Sequence, residues 1–223
     1  MQYSKYILIA SLCVYFINNG ATQTLNWNKL ENTRHILSAN FGLDFGLTSK
    51  LTYGYKFNTY QTFILGASIS KPAGKTSFDD FKVSINGQIQ SFSWRSFKGS
   101  TSFSAIYRKQ ETSLVTLQNF GAEIKGTCGY YRSKWFIAAE LGFDKAIVTH
   151  FKHTDKYRDE FYLEVKDGWY QPATGGNFYY GSQAGYSIKN MDITLNVGKI
   201  INQDFITSPV LPFYFNLGFN FKI

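Results

Sequence analysis

Two groups of residues in this chain have the types and spacing to do chemistry. The first follows from strict alternation along the sequence. By parity, Asp44, Glu123, Glu140 and Asp144 fall on the same side as Lys50, Lys56, Lys82, Arg108, Lys125 and Lys222. Acids and bases lining one inner face can form a salt-bridged network or the wall of a selective passage. Gly42, Gly54, Gly66, Gly121, Gly142, Gly181, Gly185 and Gly218 share that side and leave space for water. The second group lies in a long polar stretch, 145–177. His150, His153 and Asp155 have a spacing that could hold a metal ion, and a histidine beside an acid could activate water. Tyr157, Tyr162, Trp169 and Tyr170, with Lys152, Lys156 and Arg158, offer broad rings and cations to a protein partner or a glycan. The alternative for this stretch is a solvated loop folded over a mouth. No Gly-x-Ser-x-Gly, phosphate loop or dinucleotide fingerprint accompanies these residues, and no cofactor is expected.

The elements that must position them are strands. In 212–223, Phe213, Phe215, Leu217, Phe219, Phe221 and Ile223 take every odd position, while Tyr214, Asn216, Gly218, Asn220 and Lys222 take the even ones. Period two means a strand with one apolar and one polar face. A strand this long can cross a bilayer when tilted, and its edge needs a partner. A closed barrel in which it pairs with the first strand meets that need.

The same grammar marks nine further strands. Residues 37–57 alternate without a break and read as one strand or as two, 35–46 and 50–57, with a turn at Leu47–Ser49. Phe63–Ile69, Phe81–Ile89, Phe103–Tyr107, Phe120–Tyr130, Trp135–Phe143, Phe178–Ile188 and Ile193–Val197 follow, and parity flips across the two-residue turn Arg132–Ser133. Splitting 37–57 gives ten strands and makes short links (58–60, 93–98, 132–133, 190) alternate with longer ones (71–78, 109–115, 145–177, 201–211). That is the pattern of periplasmic turns and extracellular loops. The expected fold is an all-β, closed antiparallel transmembrane barrel of ten strands.

The ends and the composition agree with that address. Lys5 and the apolar run Tyr6–Phe16 read as a secretory signal, residues 1–22, cut between about Gly20 and Gln23. Residues 23–34 read as a periplasmic lead-in and 35–223 as the barrel. Only Cys128 remains beyond the signal, so no internal disulfide is expected. The chain is 18% aromatic, with 21 Phe and 16 Tyr, which suits strands and membrane interfaces. Its net charge of +8 is scattered rather than clustered, which argues against nucleic acid.

The aromatic closing strand resembles that of bacterial outer-membrane barrels. Phe120-Gly-Ala-Glu, Cys128-Gly-Tyr-Tyr and Lys134-Trp-Phe-Ile-Ala-Ala-Glu-Leu-Gly-Phe resemble small outer-membrane barrels of the Bacteroidota type. The resemblance implies the bacterial outer membrane as location, its lipid as solvent and the barrel-assembly machinery as partner through the last strand. It carries no catalytic motif. The reading is a structural or interaction barrel, an accessory of a surface complex. The alternative is a small diffusion pore, and the third reading is a rim hydrolase of omptin-like type, though no omptin motif matches residue by residue.

Overall fold

A computed structural model describes residues 23–31, 33–44, 46–73, 79–161, 164–172 and 175–223. The expected signal segment, 1–22, lies outside them.

Ten strands run antiparallel around a closed barrel: β1 (His35–Leu43), β2 (Leu47–Phe57), β3 (Phe63–Pro72), β4 (Asp80–Trp94), β5 (Phe97–Glu111), β6 (Val115–Tyr131), β7 (Trp135–His153), β9 (Gly176–Ile188), β10 (Met191–Asn202) and β11 (Phe213–Lys222). The short β8 (Gly168–Tyr170) pairs only with the far end of β7 and is not a stave. Closure is by β1 against β11, from Ile36↔Lys222 to Leu43↔Phe215, so the alternating last strand has partners on both edges. No sheet edge is left to recruit another chain around the wall.

Alternation sets the two faces. On β1, Leu37 is 48% exposed while its neighbour Ser38 is fully buried. Phe41, Leu51, Leu65, Ile85, Phe103, Ile124, Leu141, Leu195 and Phe215 lie on the exposed outer face. Ser68, Ser84, Asn86, Ser102 and Ser104 are buried inside. An apolar exterior around a polar interior is the inverse of a water-soluble barrel, and it makes this one transmembrane.

Four corrections to the sequence reading follow. The chain divides 37–57 at residues 44–46, not at Leu47–Ser49; β2 already begins at Leu47, where Leu43 pairs with it. The 109–115 link shrinks to 112–114, because β5 runs to Glu111 and β6 starts at Val115. Much of 145–177 is not loop, since β7 continues to His153. Finally, residues 23–31 are not a lead-in below the wall. They enter the lumen, as described next. Short links (58–62, 95–96, 132–134, 189–190) still cluster at one end, here the turn end, and the others at the loop end.

Candidate functional site

The lumen is the site. Its turn end is stoppered by the N-terminal segment. Leu25, Trp27 and Leu30 pack with the inward residues Ile36, Ile64, Tyr131, Phe136 and Ala138 in one apolar layer, with Tyr131 and Phe136 stacked at 5.2 Å. Polar residues of the same segment bind the wall. Asn26 caps a 3₁₀ turn, Trp27–Lys29, by accepting from the Asn28 N–H. Its Nδ2 donates to the Arg132 carbonyl at 2.9 Å and to Ser187 Oγ at 2.8 Å. Deeper in, Asn196 Nδ2 donates to Thr24 Oγ1 at 2.7 Å and Asn220 Nδ2 to the Thr24 carbonyl at 2.6 Å. Lys56 Nζ donates to the carbonyls of Leu30 and Glu31, closing the mouth. The wall makes room for the segment: a Cβ on Gly54 would lie 2.6 Å from Gln23 Oε1.

Beyond the stopper the lumen is filled by charge. Glu140 accepts from Tyr214 Oη and Gln183 Nε2, each at 2.5 Å, and sits 3.5 Å from Lys125 Nζ. Glu123 accepts from Tyr179 Oη. Lys82 pairs with Asp44 at 3.0 Å. Arg108 forms a two-pronged pair with Asp80, at 2.7 and 3.0 Å. Lys222 meets Asp192 at 2.6 Å, and Asp192 also accepts from the Asn26 N–H at 3.4 Å. Lys50 is buried, within electrostatic reach of Glu123 and Asp44, and Asp144 is buried opposite Glu123. A cavity of about 10 Å³ between Glu123, Lys125, Glu140 and Tyr214 has room for about one water. Side chains and their ion pairs thus occupy much of the described lumen beyond the stopper.

All ten parity-assigned charges thus point inward. Parity alone also places Asp192 inside, next to outward Ile193, and this was missed. Tyr179 and Tyr214 also fall on the inner parity, Tyr214 beside Asn216 and Lys222, but a network read from charged residues alone left them out. Glycines admit them. A Cβ at Gly181 or Gly198 would lie 2.3 Å from Tyr214 Oη.

At the loop end, the start of β6 and the end of β7 rise together as a paired extension, and α1 (Asp155–Glu160) is capped by Thr154 Oγ1 accepting from the Tyr157 N–H. A bulge in β7, between the partners of Phe120 and Gly121, changes the parity. His150 is thereby turned to the outer face, where its ring lies 4.8 Å from Trp169. His153 takes the opposite parity and hydrogen-bonds Asp167 at 2.9 Å through Nδ1. The metal spacing His150, His153, Asp155 therefore does not converge. Nor do the three described loop aromatics form one platform. Trp169 lies tilted against Phe120 and His150, Tyr170 meets Phe151 edge-on, and Tyr157 lies between His153 and Phe161. Tyr162 lies outside the described residues. Hydrogen bonds from the His153 N–H and ring, with Arg158 nearby, hold the Asp167 carboxyl down at about 2.

No protein-family model matches the chain, and no curated protein matches it in sequence. Solved structures similar to it include a KdgM porin, 10% identical, covering 84% of this chain and 99% of that one, with a TM-score of 0.46. Another is a KdgM porin in complex with disordered oligogalacturonate, 9% identical, with the same coverage and a TM-score of 0.44.

Proposed function

We propose that this chain is an outer-membrane barrel that works as a narrow channel for small solutes and is held shut by its own N-terminal segment. One observation carries the reading: at the turn end the lumen is filled by residues 23–31, a separate stretch of chain that packs on inward wall side chains and is held to them by hydrogen bonds. A stopper of this kind can leave without breaking the barrel. The rest of the lumen is polar and of mixed charge, which supports passage of small ions once waters enter. On this reading the turn end faces the periplasm and the loop end the exterior.

Planar-bilayer recordings test it. Intact protein should be mostly silent. Protein lacking residues 23–31, shown to be folded by heat-modifiable migration, should give small steady currents. Silence from both would sink the channel reading.

A second reading, an interaction barrel of a surface complex, is favoured by the loop-end extension of β6 and β7 with β8 and α1, which stands beyond the membrane wall. Trp169 is 56% exposed there and Phe161 54%. Its test replaces 154–174 with a Gly/Ser linker and compares the partners recovered from native membranes. If the recovered partners are the same, recognition lies elsewhere.

A further inference from the structure

The net charge of this protein has an address. Lys29, Arg34, Arg95, Arg132, Lys134 and Lys189 lie at the turn end, outside the lumen, against a single described acid there, Glu31. At the loop end acids accompany the cations: Lys109 pairs with Glu111, Lys156 with Glu160, and Arg158 with Asp155 and Asp167, while Asp79, Asp159, Glu164 and Asp204 share that end with Lys71, Lys152, Lys166 and Lys199. In the lumen, ion pairs likewise balance bases against acids. The positive surplus is therefore concentrated on the turn-end rim.

That rim carries an aromatic arc on its outer face. Trp94 stacks on Phe97 at 6.3 Å, Phe97 meets Tyr130 at 5.3 Å, and Tyr130 meets Trp135 at 5.7 Å. Two cations sit on this arc: Arg95 Cζ lies 5.5 Å from the Trp94 ring centre, and Arg132 Cζ 5.0 Å from that of Tyr130. Tyr and Trp of a barrel belt sit at the level of lipid headgroups. Cations stacked on such rings face headgroups more than open water. Arg95 and Lys189 also adopt left-handed backbone, φ 55° and 50°, at turn positions that glycine would fill without strain.

We infer that this rim is a binding surface for the phosphate groups of anionic phospholipid in the periplasmic leaflet. Arg95 and Arg132 provide the direct contacts, while Lys134 and Lys189 add to the field. A phosphodiester there meets almost no opposing carboxylate, and the outward aromatic rings supply the apolar floor for the acyl chains beneath it. The inference rests on membrane insertion as proposed above, but not on conduction.

Spin-labelled lipids test it. Full-length protein is reconstituted in phosphatidylcholine bilayers, and the motionally restricted fraction is compared for labelled phosphatidylglycerol and labelled phosphatidylcholine. Selectivity for phosphatidylglycerol should be several-fold and should fall with salt. Each basic residue near an anionic surface strengthens its attraction roughly five-fold at most. The triple variant Arg95→Gln, Arg132→Gln, Lys134→Gln should bring the ratio close to unity, while Lys152→Gln with Lys156→Gln at the opposite end should leave it unchanged. Heat-modifiable migration verifies that each variant is folded. Equal restriction of the two lipids by the intact protein overturns the inference, as does full selectivity in the triple variant. Binding of a polyglutamate peptide in detergent, without lipid selectivity in bilayers, would assign the rim to an acidic protein and overturn it too. Failure to insert into bilayers would overturn the membrane reading itself, and this inference with it.

Discussion

Glu123 and Asp144 stand directly opposite each other across the β6–β7 ladder, both turned inward and both buried. Like charges directly opposite are unfavourable, and Lys125, Lys50 and Lys82 lie near enough to Glu123 to offset this. Asp144 and Lys125 should respond differently to neutralisation. Asp144→Asn removes the repulsion and should raise stability by up to about 1 kcal/mol. Lys125→Met leaves Glu140 buried without its cation and should lower stability by about 3–5 kcal/mol. Urea unfolding of the reconstituted barrel measures both. A large loss in Asp144→Asn would show instead that Asp144 is the essential counter-ion of the lysines.

The stopper has one dominant anchor. Trp27 is buried in the apolar layer, and its carbonyl also accepts from Lys98 at 3.4 Å. Truncating a buried Trp removes about 3–5 kcal/mol of packing. Here that loss falls on the docking of 23–31 and not on the wall, whose own ladder is unbroken. Trp27→Ala should therefore increase channel opening in planar bilayers while leaving the heat-modifiable fold intact. An unfolded barrel, or unchanged silence, would mean that the segment is part of the core and does not act as a gate.

What the sequence showed, and what it hid, follow from the same period of two. Alternation placed Lys82 and Asp44 on the inner face, because a strand has only two faces. It could not pair them. Partners depend on strand stagger, so Arg108 reaches Asp80 on β4, which the alternation had left out of the network. The stopper was hidden because Leu25, Trp27 and Leu30 follow no period, and Gln23, Thr24 and Asn26 look solvated. They are buried because the lumen they fill is itself polar. The bulge in β7 was hidden as well; it exchanges the faces of His150 and His153 together, and their separation by three residues keeps them on opposite sides. A bulge adds one residue to one strand and exchanges the faces beyond it without changing composition.

Acid should loosen the loop-end extension before it touches the wall. Asp167 joins His153 and Arg158, linking the end of β7 to α1, and its carboxyl is held down at about 2. A depressed carboxyl stabilises the folded form fully above its ordinary value of 3.8 and loses that contribution as pH falls toward about 2. Amide exchange at His153, whose N–H donates to Asp167 Oδ1 at 2.8 Å, should therefore be slow relative to its intrinsic rate above pH 4 and lose protection below it. Asp167→Asn should remove that pH dependence. Protection that persists to pH 2 would show that pairing of β7 with β6 and β8 alone holds this extension.

The adjacent residues Leu195 and Asn196 test the two faces of one strand. Leu195 points out of the wall, opposite Leu217 and Ala184, and Asn196 points in, donating to Thr24 of the stopper. Leu195→Arg places a charge among lipid chains and should lower stability by about 2–4 kcal/mol near the midplane. Leu65→Arg on β3 should do the same, since it shares the outer face. Asn196→Ser should lower stability by only about 1 kcal/mol, the net worth of one hydrogen bond. That small loss has a second readout that Leu195→Arg lacks: one tie to the stopper is gone, so brief openings should become more frequent in planar bilayers. Unfolding from lipid vesicles ranks the three variants. If Asn196→Ser proves the most damaging, the faces are reversed and the polar side meets the lipid. If it neither destabilises nor opens the channel, Thr24 is not held by this contact.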